Sequence, residues 1–244
     1  MKIVAVASGK GGVGKSTVSL GLARALAARG TQVGLLDADV YGPDIPVMLG
    51  LKQTRDLKQW ALGRNPQFGR VRLEPVEALG LKVMSVGFLV SERQSFSLPS
   101  TLTAHVWKQF VDDVDWGELD YLVVDLPPGT ADLQQHVFAA GELAGTVIVV
   151  GPQDAAHLDA RKLLDALRGA GVPVLGAVEN MCGLHCPHCG EAIEVFPPVS
   201  PERSLLGEVE LLASIPLDPA YARVNGLAPV FTELAERVVE RLAR

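Results

Sequence analysis

A glycine-rich loop near the amino terminus most strongly limits what this chain can fold into. The loop follows the apolar run Ile3 to Ala7 and precedes a helix-like stretch, Ser16 to Arg29. From Gly9 onward it fits the pattern G-x-x-x-x-G-K-[ST], with the lysine at Lys15. In this pattern the backbone N–H groups converge on phosphate oxygens, and the helix that follows adds the positive end of its dipole. The sequence therefore predicts a strand, a phosphate cradle and a helix in direct succession.

The same pattern assigns a nucleotide-binding task to consecutive residues. We expect the phosphates to be held by Gly9, Lys10, Gly11, Gly12, Val13, Gly14, Lys15, Ser16 and Thr17. Lys15 would reach the β- and γ-phosphates, and the Ser16 hydroxyl would bind Mg²⁺. A nucleoside triphosphate with Mg²⁺ is therefore the expected ligand.

Composition sets the broad class of the chain and excludes several partners. The 244 residues are 48% hydrophobic and 20% charged, which is ordinary for a globular protein with a large core. A formal net charge of −6 argues against a broad nucleic-acid interface. No apolar run reaches the roughly 18 residues of a membrane span, and neither a linker nor a cleavable leader is recognisable. We therefore expect one domain over residues 1–244, located in the cytoplasm, with no membrane or nucleic acid as partner.

The segment 52–72 differs from this acidic balance. Its only acidic residue is Asp56, and its basic residues are Lys52, Arg55, Lys58, Arg64, Arg70 and Arg72. A solvent-exposed loop explains such a run of charges. A docking surface for an acidic partner is the alternative.

Apolar, β-branched runs alternate with helix-like patterns along the chain. The runs are Ile3 to Ala7, Gln32 to Leu36, Leu81 to Val86, Tyr121 to Val124, Thr146 to Val150, Val172 to Val178 and Leu211 to Ile215. Continuous apolar runs fit strands buried on both faces, as a parallel sheet between two helix layers requires. We therefore predict a doubly wound α/β fold with a mostly parallel sheet and helices on both faces. In such a fold, ligands bind at the carboxyl ends of the strands.

Carboxylates follow two of the predicted strands. Asp37 and Asp39 come after the second run, and Asp125 closes the run that begins at Tyr121. An Asp that closes a buried strand beside a phosphate loop can hold Mg²⁺ through the water shell of the ion. We assign this task to Asp125. A helix-cap or turn role is the alternative for all three Asp residues.

All three cysteines fall within the loop 182–190. Such clustering indicates a metal site rather than a disulfide. Cys186 and Cys189 form a C-x-x-C turn that directs two thiolates at one ion or cluster, and sulfur ligands select zinc or iron–sulfur chemistry. Two thiolates are half of a ligand set. If two subunits meet face to face, their four thiolates can hold one [4Fe–4S] cluster at the interface.

A structural zinc site within one chain is the alternative interpretation of this loop. Cys182, Cys186 and Cys189 would then bind the ion together with His185 or His188. Metal analysis separates the two interpretations, because a cluster contains iron and sulfide.

Five characteristic stretches occur in order along the chain. They are K-G-G-V-G-K-S at Lys10 to Ser16, L-L-D-A-D-V-Y-G-P at Leu35 to Pro43, W-G-E-L-D-Y-L-V-V-D-L-P-P-G-T at Trp116 to Thr130, V-E-N-M at Val178 to Met181 and C-P-H-C-G at Cys186 to Gly190. Together they resemble the Mrp/ApbC family of iron–sulfur cluster carrier ATPases, in the superfamily of MinD, ParA and the nitrogenase iron protein. The resemblance implies ATP binding and hydrolysis, a homodimer, a labile bridged cluster and transfer of that cluster to apo-proteins. We expect the hydrolysis to be slow, because cluster handling rather than turnover would be the output.

The resemblance also implies roles for individual residues. Lys10 would reach across the dimer to the phosphates of the partner subunit, as an arginine finger does. Asp39 would orient the attacking water, which makes Lys10, Lys15 and Asp39 the catalytic set. Asn180 would bind the adenine edge and Pro216 would flank the ring. A turn-forming role is the alternative for both.

A few stretches depart from the family pattern, and one terminal stretch bears on a second alternative. The departures are residues 98–101, Ala131 before Asp132, and Pro197 to Pro201. The alternative is a positioning ATPase of the MinD or ParA kind, whose membrane helix would be Phe231 to Arg244. The polar face of that stretch mixes acidic and basic residues, which favours packing against the sheet.

Overall fold

The computed structural model describes residues 1–51, 73–88, 103–129, 131–186, 188–222 and 227–244. The basic segment 52–72, the departure at 98–101, Thr130 and Pro187 lie outside the described residues. The strands are β1 Lys2–Ala7, β2 Val33–Asp37, β3 Val76–Ala78, β4 Leu81–Ser85, β5 Tyr121–Asp125, β6 Leu143–Val150, β7 Val174–Asn180, β8 Leu184–His185, β9 Ala192–Ile193 and β10 Leu211–Ile215. The α-helices are α1 Lys15–Ala28, α2 Ile45–Met48, α3 Thr103–Lys108, α4 Asp132–Ala139, α5 Asp154–Gly169 and α6 Pro229–Leu242.

Eight of these strands form one sheet in the order β10-β7-β6-β1-β5-β2-β4-β3. The pairings are parallel except at one edge, where β3 runs antiparallel to β4. The chain builds the sheet on one side of β1, returns through β5, and then builds the other side. The predicted α/β fold with a mostly parallel sheet is confirmed.

Burial explains why the strand sequences are continuously apolar. In β1 the residues Ile3 to Ala7 are all buried, and β2 is buried over its whole length. Neighbouring strands cover the edges of β1 and β2, and helices pack against both faces of the sheet. Because neither face meets water, these strands do not alternate polar and apolar residues. Each of the predicted runs overlaps a strand, with ends that differ by a few residues. Four strands of this sheet, β2, β4, β5 and β7, end in a polar residue: Asp37, Ser85, Asp125 and Asn180.

The helix that follows the phosphate loop packs against the C-terminal helix. In α1, Gly21 lies directly against the ring of Phe231 in α6, so that a methyl group at Gly21 would overlap the ring. The buried residues of α6 are Phe231, Leu234, Ala235 and Val238. The apolar face of the C-terminal stretch therefore packs in the core, as the charge pattern predicts. Among the described helices, none is long and apolar enough to cross a membrane.

Some elements were not predicted from the sequence. The edge strand β3 is three residues long, and β8 and β9 form a separate hairpin of two residues each. The helix α3 continues directly into a π-helical turn at Gln109–Asp113. Strands this short contain too few residues for a periodic pattern to appear in the sequence.

Packing at Gly21 gives a stability prediction. Gly21→Ala should lower the free energy of unfolding by about 1–3 kcal/mol, because the added methyl forces the Phe231 ring to move. Gly169→Ala is the matched control. No atom lies within 4 Å of the position a methyl would take there, so better helix propensity should leave stability unchanged or raise it by up to about 1 kcal/mol. Urea unfolding measures both, and equal stabilisation of the two variants would contradict the close packing of α1 on α6.

Candidate functional site

The phosphate loop turns sharply between β1 and α1. Gly12 and Gly14 both have a φ of 80°, in the left-handed region that glycine adopts readily. At Gly14 contact also excludes a side chain, which would overlap the amide nitrogen of Asn180. The helix begins at once, with the N–H of Val18 donating to the Gly14 carbonyl at 3.1 Å. The loop therefore presents its backbone at the amino end of a helix, as a phosphate cradle requires.

A cleft of about 360 Å³ opens along this loop, on the side of the sheet where the strands end. Loop residues Lys15, Ser16 and Thr17 line it, together with Asp39 from the segment after β2. Pro128 and Met181 line it from the segments after β5 and β7. The structure thus gathers most of the predicted phosphate-binding residues, and one predicted catalytic carboxylate, around a single cleft.

A buried ion pair joins the loop to the centre of the sheet. Lys15 Nζ lies 2.8 Å from Asp125 Oδ1, at the end of β5, and 3.8 Å from Asp39 Oδ2. The Ser19 hydroxyl donates to the same Asp125 oxygen at 2.8 Å. The other oxygen, Asp125 Oδ2, is buried and has no hydrogen-bond partner among the described residues. Because an unpartnered buried carboxylate oxygen is costly, it fits the predicted acceptor for the water shell of Mg²⁺.

Two further carboxyl groups lie beside this pair. Burial raises the pKa of Asp37 well above its ordinary value, the Asp125 carboxylate raises it further, and a hydrogen bond from Ser85 lowers it. Burial also raises the pKa of Asp39, against the opposing effect of Lys15. A carboxylate with a raised pKa is a better proton acceptor. The role of Asp39 toward an attacking water stays a prediction.

Other loop residues contact the rest of the chain rather than the cleft. Gly9 packs against the backbone of α5, where a side chain would overlap Asp159. Lys10 is half-buried, and its carbonyl accepts a hydrogen bond from the Ser8 hydroxyl at 3.0 Å. Val13 is buried. The predicted role of Lys10 toward a partner subunit stays a prediction.

Asn180 ends β7 and Pro216 follows β10, and these are the last two strands of the eight-stranded sheet in chain order. The Asn180 amide donates to the Val13 carbonyl at 2.8 Å, and the residue is 4% exposed. The Asn180 side chain therefore ties the end of β7 to the phosphate loop. Pro216 follows β10 and is half-buried, and the next residue, Leu217, donates its N–H to the Gly183 carbonyl at 2.8 Å. Contact of Asn180 and Pro216 with adenine stays a prediction.

The Cys-x-x-Cys turn connects the two short strands of the β8–β9 hairpin. The N–H of Cys186 donates to the Glu191 carbonyl, and the N–H of Gly190 donates to the Cys186 carbonyl, both at 2.8 Å. Backbone N–H groups of Cys189 and His188, and then the Cys189 thiol, lower the pKa of Cys186 by hydrogen bonding to its sulfur. A lowered pKa favours the thiolate, which is the form that binds metals. The turn therefore prepares two adjacent sulfur ligands.

Cys182 differs from the other two thiols. Its Sγ donates to the Ile215 carbonyl at 3.3 Å, and burial, followed by the charge of Glu179, raises its pKa. Within the described ranges, no three His, Cys, Asp or Glu side chains converge in an arrangement that could hold a metal ion. The choice between a bridged cluster and a zinc site stays a prediction.

A short piece of chain connects the cleft with the hairpin. β7 ends at Asn180 against the phosphate loop, and the next residue, Met181, lines the cleft with a φ of 62°. The N–H of Cys182 then donates to the Ile215 carbonyl at 3.1 Å. Cys186 follows after the first strand of the hairpin. The stretch 180–189 therefore contains both the contact with the phosphate loop and the paired thiols.

These features define a P-loop NTPase: a mostly parallel sheet, a phosphate loop with Lys15, and carboxylates at the ends of β2 and β5. In this chain the loop contains a second lysine, Lys10. Residues 1–241 match the ParA family described as NUBPL iron-transfer P-loop NTPase, and the chain belongs to this family. The family resemblance predicted from the motifs is confirmed.

Curated relatives are named iron-sulfur cluster carrier protein. The relative from Pseudomonas fragi is 44% identical over 88% of this chain and 72% of its own length. The one from Methanocaldococcus jannaschii is 36% identical over 98% of this chain and 84% of its own length. The one from Aquifex aeolicus is 42% identical over 90% of this chain, and the match spans 58% of that protein.

Solved structures share the same architecture. A nucleotide-binding protein from Archaeoglobus fulgidus, in complex with ADP, is 37% identical, with a TM-score of 0.74 over 94% of this chain and 90% of its own. The cell division ATPase MinD of Pyrococcus furiosus is 24% identical, with a TM-score of 0.69 over 98% of both chains, and shares the fold.

Two hydroxyl groups of the site were missed in the sequence. Ser19 lies one helical turn beyond Lys15 and donates to Asp125, and Ser85 closes β4 and donates to Asp37. Neither belongs to the loop pattern. A serine at the end of an apolar run that predicts a strand is the signal that could have singled out Ser85.

The central position of Lys15 gives a binding prediction. Lys15→Ala should weaken the binding of Mg²⁺-ATP by at least about a hundredfold, because charged hydrogen bonds to the phosphates are lost. The variant also leaves Asp125 buried without its cation, which should lower stability by about 3–5 kcal/mol. Titration calorimetry measures the affinity, with the exposed Lys162→Ala as control. Near-normal affinity in folded Lys15→Ala protein would contradict the assignment.

Proposed function

We propose that this chain is an ATP-hydrolysing carrier that assembles a labile [4Fe–4S] cluster at a homodimer interface and transfers it to apo-proteins. The observation that carries the proposal is the direct chain connection between a nucleotide cleft and a pair of adjacent thiols. Asn180 bonds to the phosphate loop, and the turn with Cys186 and Cys189 follows within the same stretch. The names of the relatives, which combine iron–sulfur clusters with carriage, support it.

Residues around the cleft would divide the work of hydrolysis. Lys15 would exchange its bond to Asp125 for bonds to the β- and γ-phosphates, since both partners are anionic and the cleft lies beside the pair. Ser16 and Asp125 would hold Mg²⁺, which neutralises charge on the phosphates. Asp39 would orient the attacking water. We expect slow turnover, because cluster handling rather than ATP consumption is the output.

Lys10 would complete the site of a second copy of the chain. Two lysines in one short loop repel each other unless an anion lies between them. A face-to-face dimer resolves this repulsion, because Lys10 of each copy then approaches the triphosphate bound by the other copy. In this position it stabilises the charge that develops during phosphoryl transfer.

The cluster is cargo rather than a resident cofactor. Each chain offers Cys186 and Cys189, and a twofold axis brings two such pairs together to make the four thiolates of a [4Fe–4S] cluster. Cys189 is exposed and Cys186 is half-buried, so a recipient apo-protein can reach the ligands. We extend the proposal to a single domain over residues 1–244 that acts in the cytoplasm, without membrane or nucleic-acid partners.

The role of Lys10 gives a prediction that separates binding from turnover. Lys10→Ala should bind Mg²⁺-ATP within about threefold of wild type, yet hydrolyse it at least about a hundredfold more slowly. It should also fail to form an ATP-dependent dimer in light scattering. Lys10→Arg keeps the charge and should retain part of the activity. Undiminished hydrolysis by Lys10→Ala would exclude a role across the interface.

Anaerobic reconstitution with iron and sulfide tests the carrier function. Wild-type protein should hold about four iron atoms and four sulfides per dimer, and none as a monomer. Cys186→Ala and Cys189→Ala should lose the cluster while keeping ATP affinity, since neither residue lines the cleft. Cys182→Ser is the matched control and should keep the cluster, because the Cys182 thiol is directed at the Ile215 carbonyl.

Three results would count against the proposal. Stoichiometric zinc in place of iron would favour the structural zinc site. A protein that stays monomeric under every nucleotide and metal condition would exclude a bridged cluster. ATP-dependent sedimentation with liposomes or DNA, without any iron, would favour the positioning ATPase.

A further inference from the structure

Three neighbouring strands end in buried polar residues at the same level of the sheet. Asp37 of β2 pairs in register with Asp125 of β5 on one side and with Ser85 of β4 on the other. Each of the three is 0% exposed, in a sheet whose core is otherwise mainly apolar. At one end of this row is Asp125, which is paired with Lys15, and at the other end is Ser85, which does not line the cleft.

Hydrogen bonds connect this hydroxyl to the backbone of Asp39. Ser85 Oγ donates to Asp37 Oδ2 at 2.8 Å, and Asp37 Oδ1 accepts the N–H of Asp39 at 3.2 Å. The carboxylate of Asp37 therefore uses one oxygen for each partner. Asp37 is fully buried next to Asp125. Loss of the Ser85 donor would therefore leave Asp37 Oδ2 without this hydrogen bond and without access to water.

A second contact leads from Ser85 to the same segment. The N–H of Gly87 donates to Ser85 Oγ at 3.0 Å, which closes a tight turn after β4. At Gly87 an added carbon would lie 3.0 Å from Pro46 and 3.1 Å from Pro43, so the turn packs closely on both prolines. Pro43 and Pro46 follow Asp39 along the chain. Ser85 is thus connected to the segment 39–46 in two places, through Asp37 at Asp39 and through Gly87 at the two prolines.

From these contacts we infer that Ser85 is a positioning residue for ATP hydrolysis, which fixes the segment carrying Asp39 through Asp37 and Gly87. The inference rests on the proposed function, because it gives Asp39 its task at the attacking water. Ser85 is not among the residues that line the cleft. Its removal should therefore change turnover and leave nucleotide affinity nearly unchanged.

Steady-state kinetics of Ser85→Ala test the inference. We expect kcat to fall about ten- to a hundredfold and KM for ATP to stay within about twofold, because a misplaced Asp39 affects only the reacting water. The control is Thr146→Val, which removes another fully buried hydroxyl from the sheet. In the described part of the chain the Thr146 hydroxyl has no hydrogen-bond partner, and its loss should leave kcat unchanged.

A double-mutant cycle with Asp39→Ala separates positioning from a general structural effect. If Ser85 acts through Asp39, adding Ser85→Ala to Asp39→Ala should lower kcat no further. If the role of Ser85 were merely structural, Ser85→Ala would lower kcat by the same factor in wild-type protein and in Asp39→Ala protein. Ser85→Cys, whose thiol is a weaker donor, should lie between wild type and Ser85→Ala, and it replaces the alanine variant if that protein does not fold.

The outcomes distinguish this inference from the proposed function. Ser85→Ala with wild-type kcat, beside an inactive Asp39→Ala, would overturn the role of Ser85 and leave the ATPase intact. Loss of ATP binding in both Ser85 variants would also overturn it, because Ser85 would then support the fold as a whole. An Asp39→Ala protein with wild-type turnover would remove both the inference and the proposed catalytic task of Asp39.

Discussion

At the carboxyl edge of the sheet, the ammonium of Lys15 and the carboxylate of Asp125 lie 2.8 Å apart with almost no exposure to solvent. Removing two charges from water is costly, so this pair exists only because the surrounding geometry holds both partners in contact. Lys15 is the first residue of α1 and Asp125 the last of β5, and Ser19 adds a hydrogen bond to the carboxylate. The position of the phosphate loop is therefore fixed by the core of the protein, and an anionic nucleotide would meet a site that is already formed.

The two parts of the proposed carrier have opposite requirements for solvent. Phosphoryl transfer depends on charges that are partly shielded from water, and Lys15, Asp39 and Asp125 have that surrounding. Cargo transfer requires exposed ligands, and Cys189 is exposed on the hairpin. The chain satisfies both because β7 ends at the buried Asn180, which bonds to the phosphate loop, and the segment that follows leads to the exposed Cys189. Besides Asn180, helix α5 also contacts the phosphate loop, at Gly9.

Local patterns predicted what depends on neighbours in the sequence. The apolar runs predicted the central strands, and the loop pattern predicted a phosphate cradle directly before a helix. The partners of Asn180 and Ser85 could not be predicted, because each bond joins residues that are far apart in the chain and meet only through the order of strands in the sheet. The lowered pKa of Cys186 likewise arises from the way the hairpin turn points backbone N–H groups at one sulfur. The sequence shows the two thiols but not the backbone geometry that favours the thiolate of Cys186.

Periodicity and short motifs are properties of consecutive residues, so they were enough to predict the fold class, the phosphate loop and the two paired thiols. Which polar groups share a buried edge of the sheet depends instead on contacts between distant residues. The pairing of Lys15 with Asp125 spans 110 residues, and that of Ser85 with Asp37 spans 48. Such contacts are set by the order and register of strands, and that order follows from the packing of the whole sheet rather than from any local pattern.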